Sequence, residues 1–359
     1  MDSKKFSLAL ISVAGMFAVT TIFFWHFVTK PIFYGYDSHG DLARIGLIEI
    51  APPLTMNVKY KKHHKELRDY LAEKSSDKFS VLTIGDSHSD GVGGAYYQDY
   101  LTDKYGMSII NSAGTKKYNS WQQLMFLMNF GYLEKFGVNT VIYEIGERGV
   151  AWLAAAPLNA PKISKEKYEK DRISYIEPTG RDMVSPYAFI TTIMGSANVK
   201  FIKNRLYAQK HENAVAKEVY REKLTIPAFT NPGQENVLYY YVDDMLYLQN
   251  KPNAAAINDK INEVADKLMA KGIRLVFLVV PDKSDIYYPY VIRENKIPEN
   301  VFFDELRPLP KRYIFVDSKV VLREAVAHGE KDVYWADDTH WTWKAQQIVG
   351  NEIYAAMKD

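Results

Sequence analysis

The sequence predicts an α/β fold, a central parallel sheet covered by helices on both faces, preceded by a single transmembrane helix. Three observations predict it. Short, near-continuous apolar runs ("FSVLTIG", "VNTVIYEIG", "IRLVFLVVP", "YIFVD") are spaced along the chain. Apolar strands without alternation are the mark of a sheet buried on both faces. Segments with helical spacing lie between them, such as Ile257, Ile261, Val264 and Leu268. Finally, Phe6 to Val28 carries no formal charge.

That N-terminal run follows Lys4 and Lys5 and is 23 residues long. As a helix it reaches roughly 34 Å, against a hydrocarbon core of about 30 Å. Trp25 falls near its far end, where an indole favours the membrane interface. A cleavable signal peptide has an apolar region of only about 7–15 residues. Residues 1–30 therefore read as an uncleaved signal anchor; cleavage after Ala14 or Ala18 is the other reading. No second run of this length follows, so the rest is expected on one side of the membrane, outside the cytoplasm.

Residues 31–77 read as a stalk and lead-in. Pro31, Pro52 and Pro53 interrupt regular structure, and Lys59–Lys74 is charged and helix-like. Its His63-His64 pair fits a solvated helix face better than a metal site. From residue 78 the α/β domain is expected to run to 359. "FSVLTIG" gives a first strand, which ends in "DSHSDG"; "SIINSAG" gives a second. A helix over Ser120–Phe136 carries Leu124, Leu127 and Met128 and is capped by Gly137. "VNTVIYEIG" follows as a buried strand. Residues 150–250 break the pattern with "KISKEKYEKDR", a Pro232-Gly233 loop and "YYYVDDMLY". They read as an insertion at one end of the sheet. Ligands bind beyond the C-terminal strand ends of such sheets, so the insertion either shapes a substrate groove or simply packs.

Composition narrows the chemistry. Lys+Arg 45 against Asp+Glu 43 gives +2, so charge implies no nucleic acid partner. With no cysteine there are no disulfides, no thiol nucleophile and no cysteine-bound zinc. "GVGG" lacks a P-loop lysine, and no cofactor or metal motif is found. Ser87 remains as a candidate nucleophile, between a strand end and an expected helix over Asp90–Asp103. Backbone N–H groups at that helix start would face a developing oxyanion. A hydroxyl needs a base. Of eight histidines, His88 is too close in sequence to face Ser87, and His340 in "ADDTHWTW" is the best placed. An aspartate two or three residues before it can orient the imidazole; a turn with a helix N-cap is the plainer reading of "DDTH".

"GDSHS" and "DDTHWT" resemble the first and last blocks of SGNH/GDSL hydrolases, a flavodoxin-like three-layer sandwich. A finer likeness is to the alginate O-acetyltransferase-like (AlgX/AlgJ-like) branch, through Asp338-Thr339-His340-Trp341, "VVPDKSDIYYP" with Pro281, Lys283 and Tyr287, and "YEIGERG" with Glu144, Glu147 and Arg148. Here the serine block comes first, as in ordinary SGNH hydrolases. The resemblance implies a Ser87–His340–Asp338 triad, with Asp337 the alternative if the ordinary Asp-x-x-His spacing holds. It places Gly114 as an oxyanion donor. The usual Gly-x-Asn-Asp block reads Gly146-Glu147-Arg148-Gly149, so Arg148 either replaces the asparagine or pairs with Glu144 or Glu147. Asp86 is expected to fix the turn. The implied function is extracytoplasmic O-acetylation of an exopolysaccharide or cell-wall glycan, with the acyl donor supplied by a membrane-bound O-acyltransferase partner. An esterase, or a glycan-binding assembly protein without turnover, are the alternatives.

Overall fold

The computed structural model describes residues 3–33, 39–53, 62–91, 95–115, 117–159, 162–175, 196–292 and 298–358. Its strands are β1 (Lys65–Glu66), β2 (Val81–Ile84), β3 (Ile109–Asn111), β4 (Thr140–Gly146), β5 (Val219–Lys223), β6 (Val237–Tyr241), β7 (Arg274–Val280) and β8 (Ile314–Val316). Six form one sheet in the order β1-β3-β2-β4-β7-β8, and every neighbouring pair is parallel. The expected α/β fold is present, and the sheet is buried on both faces.

Alternation along the strands divides the core. Leu82, Ile84, Val141, Tyr143, Leu275 and Phe277 face one layer, with helices Ser120–Asn129 and Ala254–Met269. Val81, Ile142, Val276 and Leu278 face the other, with helices Tyr97–Tyr105, Ser318–Ala327 and Trp343–Lys358. Burying a leucine or phenylalanine stabilises by about 1.5–3 kcal/mol, so the two layers hold the strand ends in fixed register.

Several boundaries differ from expectation. The helix over Ser120–Phe136 is two, Ser120–Asn129 and Tyr132–Phe136, because Gly131 takes φ 70° between them. Asn119 starts the first with a capping box to Gln122, and Gly137 ends the second as expected. The helix placed at Asp90–Asp103 begins only at Tyr97; Val92–Gly94, most of "GVGG", lie outside the described residues. Lys59–Lys61 also lie outside them, and the rest of Lys59–Lys74 forms β1 and a short helix, Leu67–Ala72.

The described parts of 31–77, read as stalk and lead-in, pack into the domain. β1 is one edge strand of the sheet, and helix Asp41–Gly46 packs against the β5–β6 hairpin, its N–H groups at Leu42 and Ala43 reaching Asp337 O at 3.0 and 3.3 Å. His64 is buried rather than solvated, its ring nitrogens 2.6 Å from Asp99 and 2.8 Å from Glu66.

The insertion leaves after β4. It contains helices Lys165–Ile173 and Ser196–Ala208 and the antiparallel β5–β6 hairpin; residues 176–195 lie outside the described set. At the N-terminus, Ser3–Ile32 is one apolar helical stretch of 30 residues, none of its most apolar window buried, with a π-helical turn at Trp25–Thr29. It is long and apolar enough for a membrane anchor or a signal sequence.

Candidate active site

β2 ends at Ile84, and the next six residues make a tight turn that carries Ser87. A carboxylate shapes this turn. Glu144, on β4 beside it, is fully buried, and its Oε2 accepts from Asp86 N (2.9 Å), Ser89 N (3.1 Å) and Ser89 Oγ (2.8 Å). Asp86 closes the turn from the other end, accepting from His88 N at 3.1 Å and Gly146 N at 3.0 Å. Gly85 is required at the start, since a Cβ there would lie 2.1 Å from both Glu144 Oε2 and Ser89 Oγ. Burial and the neighbouring Asp86 push the Glu144 carboxyl well above its ordinary range, whereas Asp86, despite burial, is held below it by His88 and by its hydrogen bonds.

His340 comes from the loop between β8's following helix and helix Trp343–Lys358. Its Nε2 lies 2.7 Å from Ser87 Oγ, and its Nδ1 2.5 Å from Asp338 Oδ1. Asp338 Oδ1 also accepts from His340 N at 2.9 Å, so one carboxylate oxygen fixes both backbone and ring. Burial pulls the His340 pKa down, but the Asp338 carboxylate outweighs it and the net shift is upward. Asp338 is correspondingly depressed in spite of its burial. Asp337 makes no such contact. Its Oδ2 accepts from Gly40 N at 2.6 Å, and burial pushes its carboxyl up to about 7. The geometry thus separates the two neighbouring aspartates, Asp338 on the imidazole and Asp337 on the N-terminus of helix Asp41–Gly46.

Two further sequence expectations need correction. Gly114 N donates to Gly85 O at 2.7 Å, so its N–H is already spent inside the fold. Arg148 pairs with neither Glu144 nor Glu147: its Nε is 3.1 Å from Asp282 and its Nη1 3.3 Å from Asp244. Both partners come from elements the motif reading did not join to it, the end of β7 and the insertion. His88, expected to point away from Ser87, packs on the His340 loop. Its ring sits 4.9 Å from that of His340 and 5.0 Å from Trp341, and burial together with the His340 charge lowers its pKa to about 3.

Two residues were missed. Asp41 lies in the segment read as stalk. Its carboxylate accepts from Thr339 N (2.7 Å) and Thr339 Oγ1 (2.5 Å) and stands 3.6 Å from His340 Nδ1. Asp338 returns the contact, its Oδ2 accepting from Asp41 N at 2.8 Å. Burial and Asp338 raise Asp41 to about 6. No local pattern announces a contact across 298 residues. Lys283 was noted in a motif but given no task. Its buried Nζ donates to the carbonyls of Trp335 (2.6 Å), Ala336 (2.9 Å) and Asp338 (3.3 Å), clamping the loop that holds Asp338 and His340. Burial lowers its pKa to about 8.

Asp41, Asp338 and His340 each bring a ligand atom within 4.8 Å of the others, close enough for an ion. Both imidazole nitrogens are already engaged, however, by Asp338 and Ser87. Beside Arg148's two carboxylates opens a cleft of about 540 Å³, lined from the insertion by Leu238, Tyr240, Met245 and Tyr247.

Ser87, half-buried, thus stands at the head of a Ser–His–Asp chain of contacts at the C-terminal edge of a parallel sheet. Comparison with known proteins places a likeness on the C-terminal part of the chain. Residues 232–359 match the family described as "SGNH hydrolase-like domain, acetyltransferase AlgX". This region is similar to the AlgX/AlgJ-like SGNH branch. Within the same comparison, the "Probable alginate O-acetylase AlgJ" of Pseudomonas fluorescens is 28% identical over 128 residues, 33% of this chain and 32% of the relative. The chain thus aligns with about a third of that relative's length. The matched SGNH-like region holds His340, Asp338, Asp337, Lys283 and Asp282, while Ser87 and Arg148 lie outside it.

Proposed function

We propose that the protein is an extracytoplasmic O-acyltransferase, held by its N-terminal helix in the cell membrane, that acetylates hydroxyls of an exopolysaccharide or cell-wall glycan. The observation that carries this reading is the continuous relay Ser87 Oγ–His340 Nε2–Asp338 Oδ1, at 2.7 and 2.5 Å. Ser87 Oγ attacks the carbonyl carbon of the donor ester, and its proton passes to His340 Nε2. Asp338 stabilises the imidazolium. The proton then goes to the leaving oxygen, and the acyl group stays on Ser87 as an ester. A sugar hydroxyl attacks that ester, gives its proton to His340, and Ser87 is regenerated. The Arg148 cation, whose charge reaches both His340 and His88, is assigned to the tetrahedral oxyanion in place of the missing asparagine. The cleft lined by Tyr240 and Tyr247 is assigned to the glycan. The likeness to an alginate O-acetylase supports acetyl as the group carried, and a membrane-bound O-acyltransferase is the expected source of the donor.

The test is incubation of the full-length protein with an activated acetyl ester, with and without an oligosaccharide acceptor. Acetylated Ser87 in the absence of acceptor, discharged to sugar on its addition, is expected. Discharge to water alone, unaffected by sugar, would make the protein an esterase. Absence of any acyl-enzyme would leave a binding protein on an SGNH scaffold.

A further inference from the structure

Helix Ser196–Ala208, in the insertion, has no part in the relay, yet among the described residues it carries an apolar exposure organised on one face. Val199, Ile202 and Leu206 are 48%, 57% and 54% exposed. At roughly 100° per residue they fall within an arc of about 60°, with Lys203 on one flank and Arg205 on the other. From Ser196 to Lys210 there are four Lys or Arg (Lys200, Lys203, Arg205, Lys210) and no Asp or Glu. The opposite face is buried at Asn204, whose Nδ2 donates to Gly46 O at 2.9 Å; Asn198, also buried, lies on the Arg205 flank.

What covers the apolar stripe is indicated by where the helix is tied. Asn198 Nδ2 donates to Thr21 O at 3.1 Å, and Thr29 Oγ1 donates to Asn198 Oδ1 at 2.8 Å. The Phe24 and Phe201 rings are 6.0 Å apart, and Trp25 is buried in a cluster with Leu47 and Phe201. All four anchor residues lie around the π-helical turn. Counted from Phe6, a span of about 20 residues crosses the hydrocarbon core, so this turn sits at the far boundary of the bilayer. A helix fastened there meets the same boundary.

We infer that helix Ser196–Ala208 is a second membrane element, lying in the interface of the bilayer that takes the anchor, with Val199, Ile202 and Leu206 among the upper acyl chains and its cations among anionic headgroups. This rests on the anchor reading above. An interfacial helix with an apolar stripe and basic flanks sinks about 5–10 Å into the headgroup–acyl boundary. Two attachments, one spanning and one lying flat, fix the domain's rotation about the anchor, which a single spanning helix leaves free. The segment Asp41–Gly46 then joins this platform to the Asp338–His340 loop.

The chain lacks cysteine, so single introduced cysteines report without background. Full-length protein bearing Ile202→Cys, Phe17→Cys or Met269→Cys is labelled with an environment-sensitive fluorophore and reconstituted into phosphatidylcholine/phosphatidylglycerol vesicles with a lipid-borne quencher. Met269 is exposed and ends the helix that leads into β7, at the sheet edge away from Ser87. Positions 202 and 17 should both be quenched several-fold more than 269. Quenching at 17 with 202 no different from 269 would overturn the inference and leave the anchor intact. Loss of quenching at 17 would remove the anchor reading itself. Quenching at 202 that appears only on dilution of protein into excess lipid would assign the stripe to a second copy instead.

Discussion

Among the described residues, two buried histidines are held by carboxylates, one beside edge strand β1 and one beside the serine turn. At residues 63–66, His64 has an acid on each nitrogen, Asp99 on Nδ1 and Glu66 on Nε2. At 337–342, His340 has an acid on Nδ1 only, and a serine hydroxyl on Nε2. In both, burial pulls the imidazole pKa down and the carboxylates push it further up. The chemistry differs because of the second partner. With carboxylates on both sides, the protonated form of His64 is favoured, and it ties β1 to helix Tyr97–Tyr105. With a hydroxyl on one side, His340 has somewhere to take a proton from. An acid beside a histidine is thus no sign of catalysis; the group at the other nitrogen decides.

The largest expected effect breaks the second arrangement. Ser87→Ala or His340→Ala should lower turnover of an activated acetyl ester by on the order of 10⁴–10⁶-fold, with the melting temperature within a few degrees of the parent. Next is Asp338→Asn, expected to cost about 10²–10⁴-fold in rate in a folded protein, since the imidazole loses its orienting charge. Near-parental turnover by Asp338→Asn would dissolve the triad assignment. His64→Ala belongs to the other region and should act through stability. Leaving Asp99 and Glu66 buried without their shared cation should cost about 3–5 kcal/mol by denaturant unfolding, while turnover per folded molecule is kept. A rate loss comparable to that of His340→Ala would erase the distinction between the two sites.

The pH dependence sharpens it. His340 must be neutral to accept a proton, and its pKa lies above the ordinary 6.5. The rate should therefore rise with pH through a midpoint above 6.5, and Asp338→Asn should move that midpoint down. For His64 the folded-state pKa is also raised. Its contribution to stability is fully present below 6.5 and lost as pH rises through the folded value, so urea titrations of His64→Gln should lack part of the alkaline loss seen in the parent. The smallest effect is expected from Asp337→Asn. Asparagine still accepts from Gly40 N, so the change should cost about 0.5–2 kcal/mol of stability, as for a helix cap, and little rate.

The parallel sheet and its two covering layers were readable because they rest on local patterns. "VNTVIYEIG" and "IRLVFLVVP" are strands in any α/β context, and Gly137 ends a helix for reasons contained in one residue. Ser87, His340 and Asp338 could be singled out by residue type and motif, and the structure brings them together. What could not be read is whatever depends on long-range neighbours. Asp41 looks like any loop aspartate until Thr339 is beside it. Gly114 is well placed by motif, but its N–H turns out to serve Gly85 O. Arg148 had two glutamates near in sequence, yet a cation in a folded protein pairs with what is near in space, here Asp244 and Asp282.

The bond from Gly40 N to Asp337 spans 297 residues, and that from His340 to Ser87 spans 253. Contacts so distant form late, after loop closure has been paid for by nearer ones. A ribosome releases this chain N-terminus first, so the hydrophobic helix and the serine turn exist long before the last 25 residues emerge. Until then Asp41 has no loop to cap and Ser87 no base. A chain that stops upstream of residue 340 lacks both the imidazole beside Ser87 and the helix Trp343–Lys358 that covers one face of the sheet.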